Sequence, residues 1–476
     1  MTRIFTAIAV CGALGVSSIS VPAAAVAAPQ ADRGRPAVSL PAVGGAQLWA
    51  QRYAGGADLT AGAKAVAVSP AGDKVFVTGE SNSGYATIAY QASTGARLWV
   101  QRYHGATNWT DTAAAIAVSP TGNAVYVTGT SVGKTPGDYA TIAYNARTGA
   151  RLWVKRYNGP GNSYDTAFAI AVSPNAKTVI VTGGNGGILT DTDYVTIAYS
   201  AATGARVWLK RYDGPAGLDD AGISLAVNKA GTTVFVTGTS WSAQTAYDIA
   251  TIAYRLSDGA QLWLKRYNGP GNGDDTGLSV AVSPSGTSVF VGGESIGATS
   301  ADDYVTIAYN AATGARQWVT RYNGTGNARD QAHGLAVNPV GTTVYITGHS
   351  EGLASGDDCT TVAYNSATGA ERWVKRYNGA ANGLDAGSAV VVSPSGKVIY
   401  VTGTSAGRGT ATDYLTIAYN AVTGARIWLK TYDGPAHAAD VATAAAVGPS
   451  GGRVFVTGRS QGPGAGPDYA TIAYNG

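Results

Sequence analysis

Residues 111–157, DTAAAIAVSPTGNAVYVTGTSVGKTPGDYATIAYNARTGARLWVKRY, decide the fold. Four short runs rich in alanine, β-branched and aromatic residues lie at 113–118, 125–130, 138–144 and 150–157, each bounded by turn formers. The turn Ser-Pro-Thr-Gly at 119–122 and the turn Asn-Ala-Arg-Thr-Gly at 145–149 have hairpin length, and their glycines supply the positive φ that such turns need. The stretch therefore reads as a four-stranded antiparallel sheet. Its first strand is built from Ala113, Ala114, Ala115 and Ala117 and its fourth carries Trp153 and Tyr157. That gradient of side-chain size makes a wedge, as blades packed around an axis require.

Outward from this stretch the motif repeats. TIAY-like segments end at Tyr90, Tyr144, Tyr199, Tyr254, Tyr309, Tyr364, Tyr419 and Tyr474, about 55 residues apart. No segment keeps a helical period, which excludes a helical solenoid. Residues 45–53 hold a lone fourth strand with Trp49, and the last copy stops after its third strand. The expected fold is all-β: an eight-bladed β-propeller of four-stranded antiparallel blades, closed by the N-terminal strand completing the last blade, which removes an exposed edge.

With 45% hydrophobic and 13% charged residues, the 476-residue chain has ample apolar surface for a large core. Its formal charge of +4 and the lack of any Lys/Arg run give no support to a nucleic-acid partner. Residues 1–27 read as a secretory signal peptide, with Arg3, an apolar run and Ala25-Val26-Ala27 as the cleavage site, rather than a stable membrane anchor. Residues 28–44 read as a flexible lead-in and 45–476 as the propeller. A monomer secreted or held outside the cytoplasm is the expectation. Cys359 is then the one cysteine of the mature chain, so no intramolecular disulfide forms.

The loops before the first and third strands of each copy share one rim, the top face. Asp111, Asp165, Asp220, Asp275, Asp330, Asp385 and Asp440 precede first strands, and Asp138, Asp193, Asp248, Asp303, Asp358, Asp413 and Asp468 precede third strands. Three readings stand for them: turn caps, calcium ligands or an acidic binding rim. For calcium, the doublets Asp274-Asp275 and Asp302-Asp303 are the candidates. The residue ending the second-strand motif is Glu80, Thr130, Gly184, Thr239, Glu294, His349, Thr404 and Arg459 in turn, so one rim position is released from the repeat. Trp109, Tyr164, Trp241 and Tyr247 also stand outside the repeat, and with His349 they are the candidate ligand-binding residues. Aromatic faces beside Asp and Asn suit sugars, whose C–H surfaces stack while their hydroxyls hydrogen-bond.

Catalysis finds no motif. His104, His333, His349 and His437 occupy different slots, and no nucleophile elbow is present. The Lys-Arg pairs of the fourth strands, such as Lys155-Arg156, read as a charged, solvated outer edge.

The pattern at 165–212, with AIAVSP, VIVTG, DYVTIAY and ARVWLKRYDGP, resembles the bacterial exported β-propeller repeats known as SBBP repeats. A second resemblance is to the tryptophan-docked propellers of pyrroloquinoline-quinone enzymes, whose A-x-D-x-x-T-G-x-x-x-W motif is matched by Ala143, Asn145, Thr148, Gly149 and Trp153, with Asn in place of the acidic residue. Both imply fold rather than chemistry. Enzymes of the second group hold their quinone over two adjacent cysteines beside calcium and a catalytic aspartate. A chain with one mature cysteine is not expected to share that cofactor.

The resulting expectation is a secreted, non-enzymatic binding or scaffold module without a cofactor, holding a glycan or protein partner on the top face. A polysaccharide-active hydrolase or lyase on that face, and a structural cell-envelope protein, are the alternatives.

Overall fold

The computed structural model describes residues 44–55, 61–105, 111–133, 135–186, 192–464 and 466–476. Within them the chain forms eight four-stranded antiparallel sheets. Blades 1 to 7 span 61–103, 112–157, 165–212, 220–267, 275–322, 330–377 and 385–432, each with its strands in sequence order. Blade 8 combines the strands Asp440–Val447, Arg453–Gln461 and Pro467–Asn475 with Gln47–Tyr53, which pairs antiparallel to Pro467–Asn475. The predicted clasp is therefore present. Each first strand packs against the first strand of the next blade, and that of blade 8 packs against that of blade 1, so the ring closes.

Small first-strand residues let eight inner strands converge, and the aromatic fourth strands fill the wider periphery. Each apolar cluster spans two neighbouring blades: Phe76, Tyr85 and Trp99 of blade 1 pack with Ile116, Val125 and Tyr144 of blade 2. The same cluster at the closure joins Trp49, Phe455 and Tyr469 to Val66, Val77 and Tyr90. Burying each indole stabilises the ring by about 1.5–3 kcal/mol.

The tryptophans dock as the repeat motif implies. Trp99 Nε1 donates to Ala146 O of the next blade at 3.2 Å, and Trp153 Nε1 to Ala201 O at 3.0 Å. The indole lies on the glycine of the neighbouring 3–4 turn. Gly149 has φ +74°, and a Cβ there would sit 2.8 Å from Trp99 Cδ2, so both backbone and space demand glycine.

Every first strand carries a bulge, which leaves one residue per blade out of register: Lys64, Ala114, Phe168, Ile223, Leu278, His333, Ser388 and Thr443. The bulge re-aims these side chains near the top of the inner strands. That position, like the end of the second strand, varies from blade to blade.

One expectation needs correction. The fourth-strand arginines are not a solvated edge. Arg156 donates to Asp138 Oδ2 at 2.7 Å, to Ser131 Oγ at 2.5 Å and, across the blade boundary, to Tyr103 OH at 3.2 Å. Arg52, Arg266, Arg321 and Arg376 repeat the arrangement with Asp468, Asp248, Asp303 and Asp358. Strand twist turns the guanidinium back under the top loops, where it neutralises the third-strand aspartate and ties two blades together.

Candidate functional site

Two sets of aspartates occupy the top face, and the framework uses most of them. The first-strand set is buried and accepts a backbone N–H from the preceding loop: Gly159 to Asp165 at 2.6 Å, Gly269 to Asp275 at 2.5 Å and Gly434 to Asp440 at 2.5 Å. These are turn caps. Burial raises Asp165, Asp220 and Asp275 to about 6, because desolvation outweighs the hydrogen bonds they accept.

The two candidate doublets divide their duties. Asp275 caps its loop and Asp303 pairs with Arg321 at 2.8 Å, so both belong to the framework. Asp274 and Asp302 instead face Glu294, and both push its carboxyl up. Groups of three carboxylates with atoms within 4.8 Å of one another occur elsewhere among the described residues, at Asp193, Asp213 and Asp220 and at Asp413, Asp433 and Asp440. The sequence signal for them is the change of YNG to YDG at Asp213 and Asp433.

What the framework leaves over collects between blades 4 and 6. Glu294 lies near the end of the second strand Ser288–Ile296, opposite Thr276 in register. Its neighbour in blade 6 is Gln331, which hydrogen-bonds it and pairs in register with His349. The bulge brings His333 beside His349, with ring centroids 5.1 Å apart. Two of the four histidines, from different slots of the repeat, thus meet at this one place.

The electrostatics are those of a desolvated polar cluster. Burial, then Asp302, pushes the Glu294 carboxyl up to about 7. Burial holds His333 down to about 3, with His349 adding to it, and His349 down to about 4, with Arg329 adding to it. Both imidazoles are neutral. His333 Nδ1 lies 2.9 Å from Gly387 O and so carries the proton, leaving Nε2 as an acceptor. Among the described residues, neither His333 Nε2 nor Glu294 Oε2 has a hydrogen-bond partner. Arg329, 60% exposed, lies 3.4 Å from Asp302. On the far side of the eight-bladed ring, Lys64 is flanked by Glu80 and Arg459.

Of the four candidate aromatics, Trp241 and Tyr247 come together. They face each other across the Thr233–Ser242 and Ala246–Arg255 strands with ring centroids 4.8 Å apart at 76°. Trp241 N donates to Asp219 O at 3.1 Å and Tyr247 OH to Asp219 Oδ2 at 3.5 Å. Burial raises the Tyr247 hydroxyl, with Asp219 and then Asp274 adding to it, and the charge of Asp274 acts on Glu294 as well. Tyr164 is 43% exposed at the boundary of blades 2 and 3, bridged to Gly137. Trp109 lies outside the described residues. Glu294, Gln331 and His333 were not singled out as ligand contacts; the blade-to-blade variation at their positions is the signal that finds them.

The chain's residues do not fit a quinone seated over paired cysteines. Cys359 is fully buried in blade 6, opposite His349 and Tyr377 in register, and burial pushes its thiol up to about 12. It is the one free cysteine among the described residues.

In structure, the chain is similar to BamB of Moraxella catarrhalis, with TM-score 0.53 and 16% identity over 90% of this chain and 99% of that one. It is also similar to the quinohemoprotein alcohol dehydrogenases of Pseudomonas putida HK5, with TM-score 0.57 and 15% identity, and of Comamonas testosteroni, with TM-score 0.55 and 14% identity. Each of these matches covers 90% of this chain and 76% of the other. The sequence finds no match among curated proteins. The dehydrogenases correct the expectation of a non-enzyme: this architecture carries catalysts as well as binding modules, and fold alone does not separate them. The pattern of the outer membrane protein assembly factor BamB matches residues 37–195 and 191–406, and the chain belongs to that family of propellers.

Proposed function

We propose that the protein works outside the cytoplasm and holds a glycan on its top face, across blades 4 to 6. The observation that carries this reading is the coincidence of departures from an otherwise repeated frame. The Trp241–Tyr247 pair, Asp219 and Asp274 run into Glu294, Gln331, His333 and His349 along one arc. An aromatic wall beside several acceptors meets both the apolar face and the hydroxyls of a sugar. The location rests on the leader at 1–27, which lies outside the described residues, and on kinship with an outer membrane assembly factor. No helix among the described residues is long and apolar enough to cross a membrane.

A second reading is favoured by Glu294. A carboxyl raised to about 7 beside Asp274 and Asp302 suits a general acid in glycoside cleavage. One experiment addresses both readings: the mature chain is incubated with a glycan array, with and without chelator, while reducing ends are assayed. Retention without release supports binding, and Trp241→Ala is expected to weaken it about tenfold, the upper end of the roughly 0.5–1.5 kcal/mol that an aromatic contact contributes. Release that disappears in Glu294→Gln supports hydrolysis. Silence on every glycan overturns both.

A further inference from the structure

The arc between blades 5 and 6 has more acceptors than donors. Glu294, Asp274 and Asp302 contribute carboxylates, and the guanidinium of Arg329 lies against Asp302 at 3.4 Å and is 60% exposed. His333, 8% exposed, is fixed through Nδ1 on Gly387 O, so its Nε2 presents a lone pair. Among the described residues Nε2 has no partner, and neither does Glu294 Oε2. His349, its ring 5.1 Å from that of His333, stands in register with Gln331, which in turn bonds Glu294. The four side chains Glu294, Gln331, His349 and His333 thus form one continuous wall.

Buried acceptors without donors are costly, and three carboxyl groups beside one guanidinium leave negative charge in excess. A neutral hydroxyl supplies one donor and no charge. An ammonium supplies three donors and a second positive charge beside that of Arg329, and accepts nothing. Glu294, Asp274 and Asp302 outnumber the one guanidinium of Arg329 at this wall, whereas the opposite side of the ring sets Lys64 and Arg459 against Glu80.

We infer that the ligand of this arc carries a protonated amine, and that the glycan of the proposed function, on which this inference rests, is a cationic amino sugar. The ammonium sits against Glu294 and His333 Nε2, and the sugar ring lies toward Trp241 and Tyr247.

The test uses the full mature chain and three probes: an oligomer of glucosamine, the N-acetylated oligomer of the same length, and spermidine, each titrated by calorimetry. The free-amine oligomer is expected to bind about tenfold or more tightly than its acetylated counterpart, the worth of one charge-assisted hydrogen bond. Glu294→Gln is expected to erase that preference, bringing the two oligomers to equal affinity. The probe comparison on the wild-type chain needs no variant, so a misfolded substitution cannot hide the result. Equal affinity for the two oligomers overturns the amine inference and leaves the glycan reading standing. Binding of spermidine alone, lost in Glu294→Gln, keeps the amine site and overturns the glycan. No binding by any probe overturns both.

Discussion

Blades 5 and 7 build the same four strands, and of the four positions at which their fourth strands differ, one decides what happens at the top face. In blade 5, Arg321 pairs with Asp303 at 2.8 Å, bonds Ser295 and reaches Tyr267 OH of the preceding blade at 3.5 Å. In blade 7 the position is Thr431, which is exposed, and Asp413 stands within 4.8 Å of Asp433 and Asp440. One arginine therefore decides whether a top-face carboxylate is part of the frame or part of a cluster of like charges. The frame tolerates its loss in one blade because tryptophan docking and the first-strand cap are retained there: Trp428 packs on Gly45, and Asp385 accepts Gly379 N.

The largest expected effect comes from making blade 5 resemble blade 7. Arg321→Thr removes one partner of a half-buried pair and should cost about 2–3 kcal/mol, less than a fully buried pair because water reaches the guanidinium. Chemical denaturation with an unchanged m-value checks it, and a loss below 0.5 kcal/mol would mean that the inter-blade tie is ornamental. The converse, Thr431→Arg, should stabilise by about 1 kcal/mol by giving Asp413 the partner that its counterparts have. A smaller gain, about 0.5 kcal/mol, is expected for Asp433→Asn, which restores the YNG form and relieves repulsion on Asp413, whose carboxyl is raised by burial and by Asp433. A thermal midpoint that falls in Asp433→Asn would show instead that the aspartate is needed where it stands.

The pH profile sharpens the contrast between frame and arc. Glu294, raised to about 7 from the ordinary 4.5, holds its proton more tightly folded than unfolded. The fold therefore loses stability as pH rises from about 4.5 through about 7, and Glu294→Gln should flatten that slope. His333 acts with the opposite sign. Lowered to about 3 from 6.5, it binds its proton more tightly unfolded, so stability falls as pH drops below 6.5, and His333→Gln should reduce that loss. Thermal midpoints read at intervals across pH 3 to 8 are expected to separate the two limbs; identical profiles for wild type and both variants would place neither group in a desolvated wall.

The fold was legible because every inference could be checked against seven further copies: one hairpin glycine proves little, but Gly149 returns as Gly204, Gly259 and Gly314, each under an indole. Alternation failed in two places, for geometric reasons. Arg156 read as an edge residue because a period of two assigns it an outer face, whereas the twist of the fourth strand carries it beneath the loop. His333 was hidden by the bulge between Ala332 and Gly334, which shifts the register by one residue and sends its ring toward His349. Glu294 and His349 did stand out, as residues at a position freed from the repeat. Their grouping with Trp241 and Tyr247, where Asp274 acts on both Glu294 and Tyr247, spans three blades, a distance that no local pattern encodes.

The clasp of Gln47–Tyr53 against Pro467–Asn475 also sets an order of events. Arg52 meets Asp468 across 416 positions of chain, so the last blade cannot form until nearly all of the polypeptide has emerged from whatever makes or exports it. Until then Trp49 has neither Phe455 nor a finished ring to hold it. The clasp is thus the first strand of the ring to be made and the last to be locked, and the arc on blades 4 to 6 can be complete in its own strands before the circle shuts.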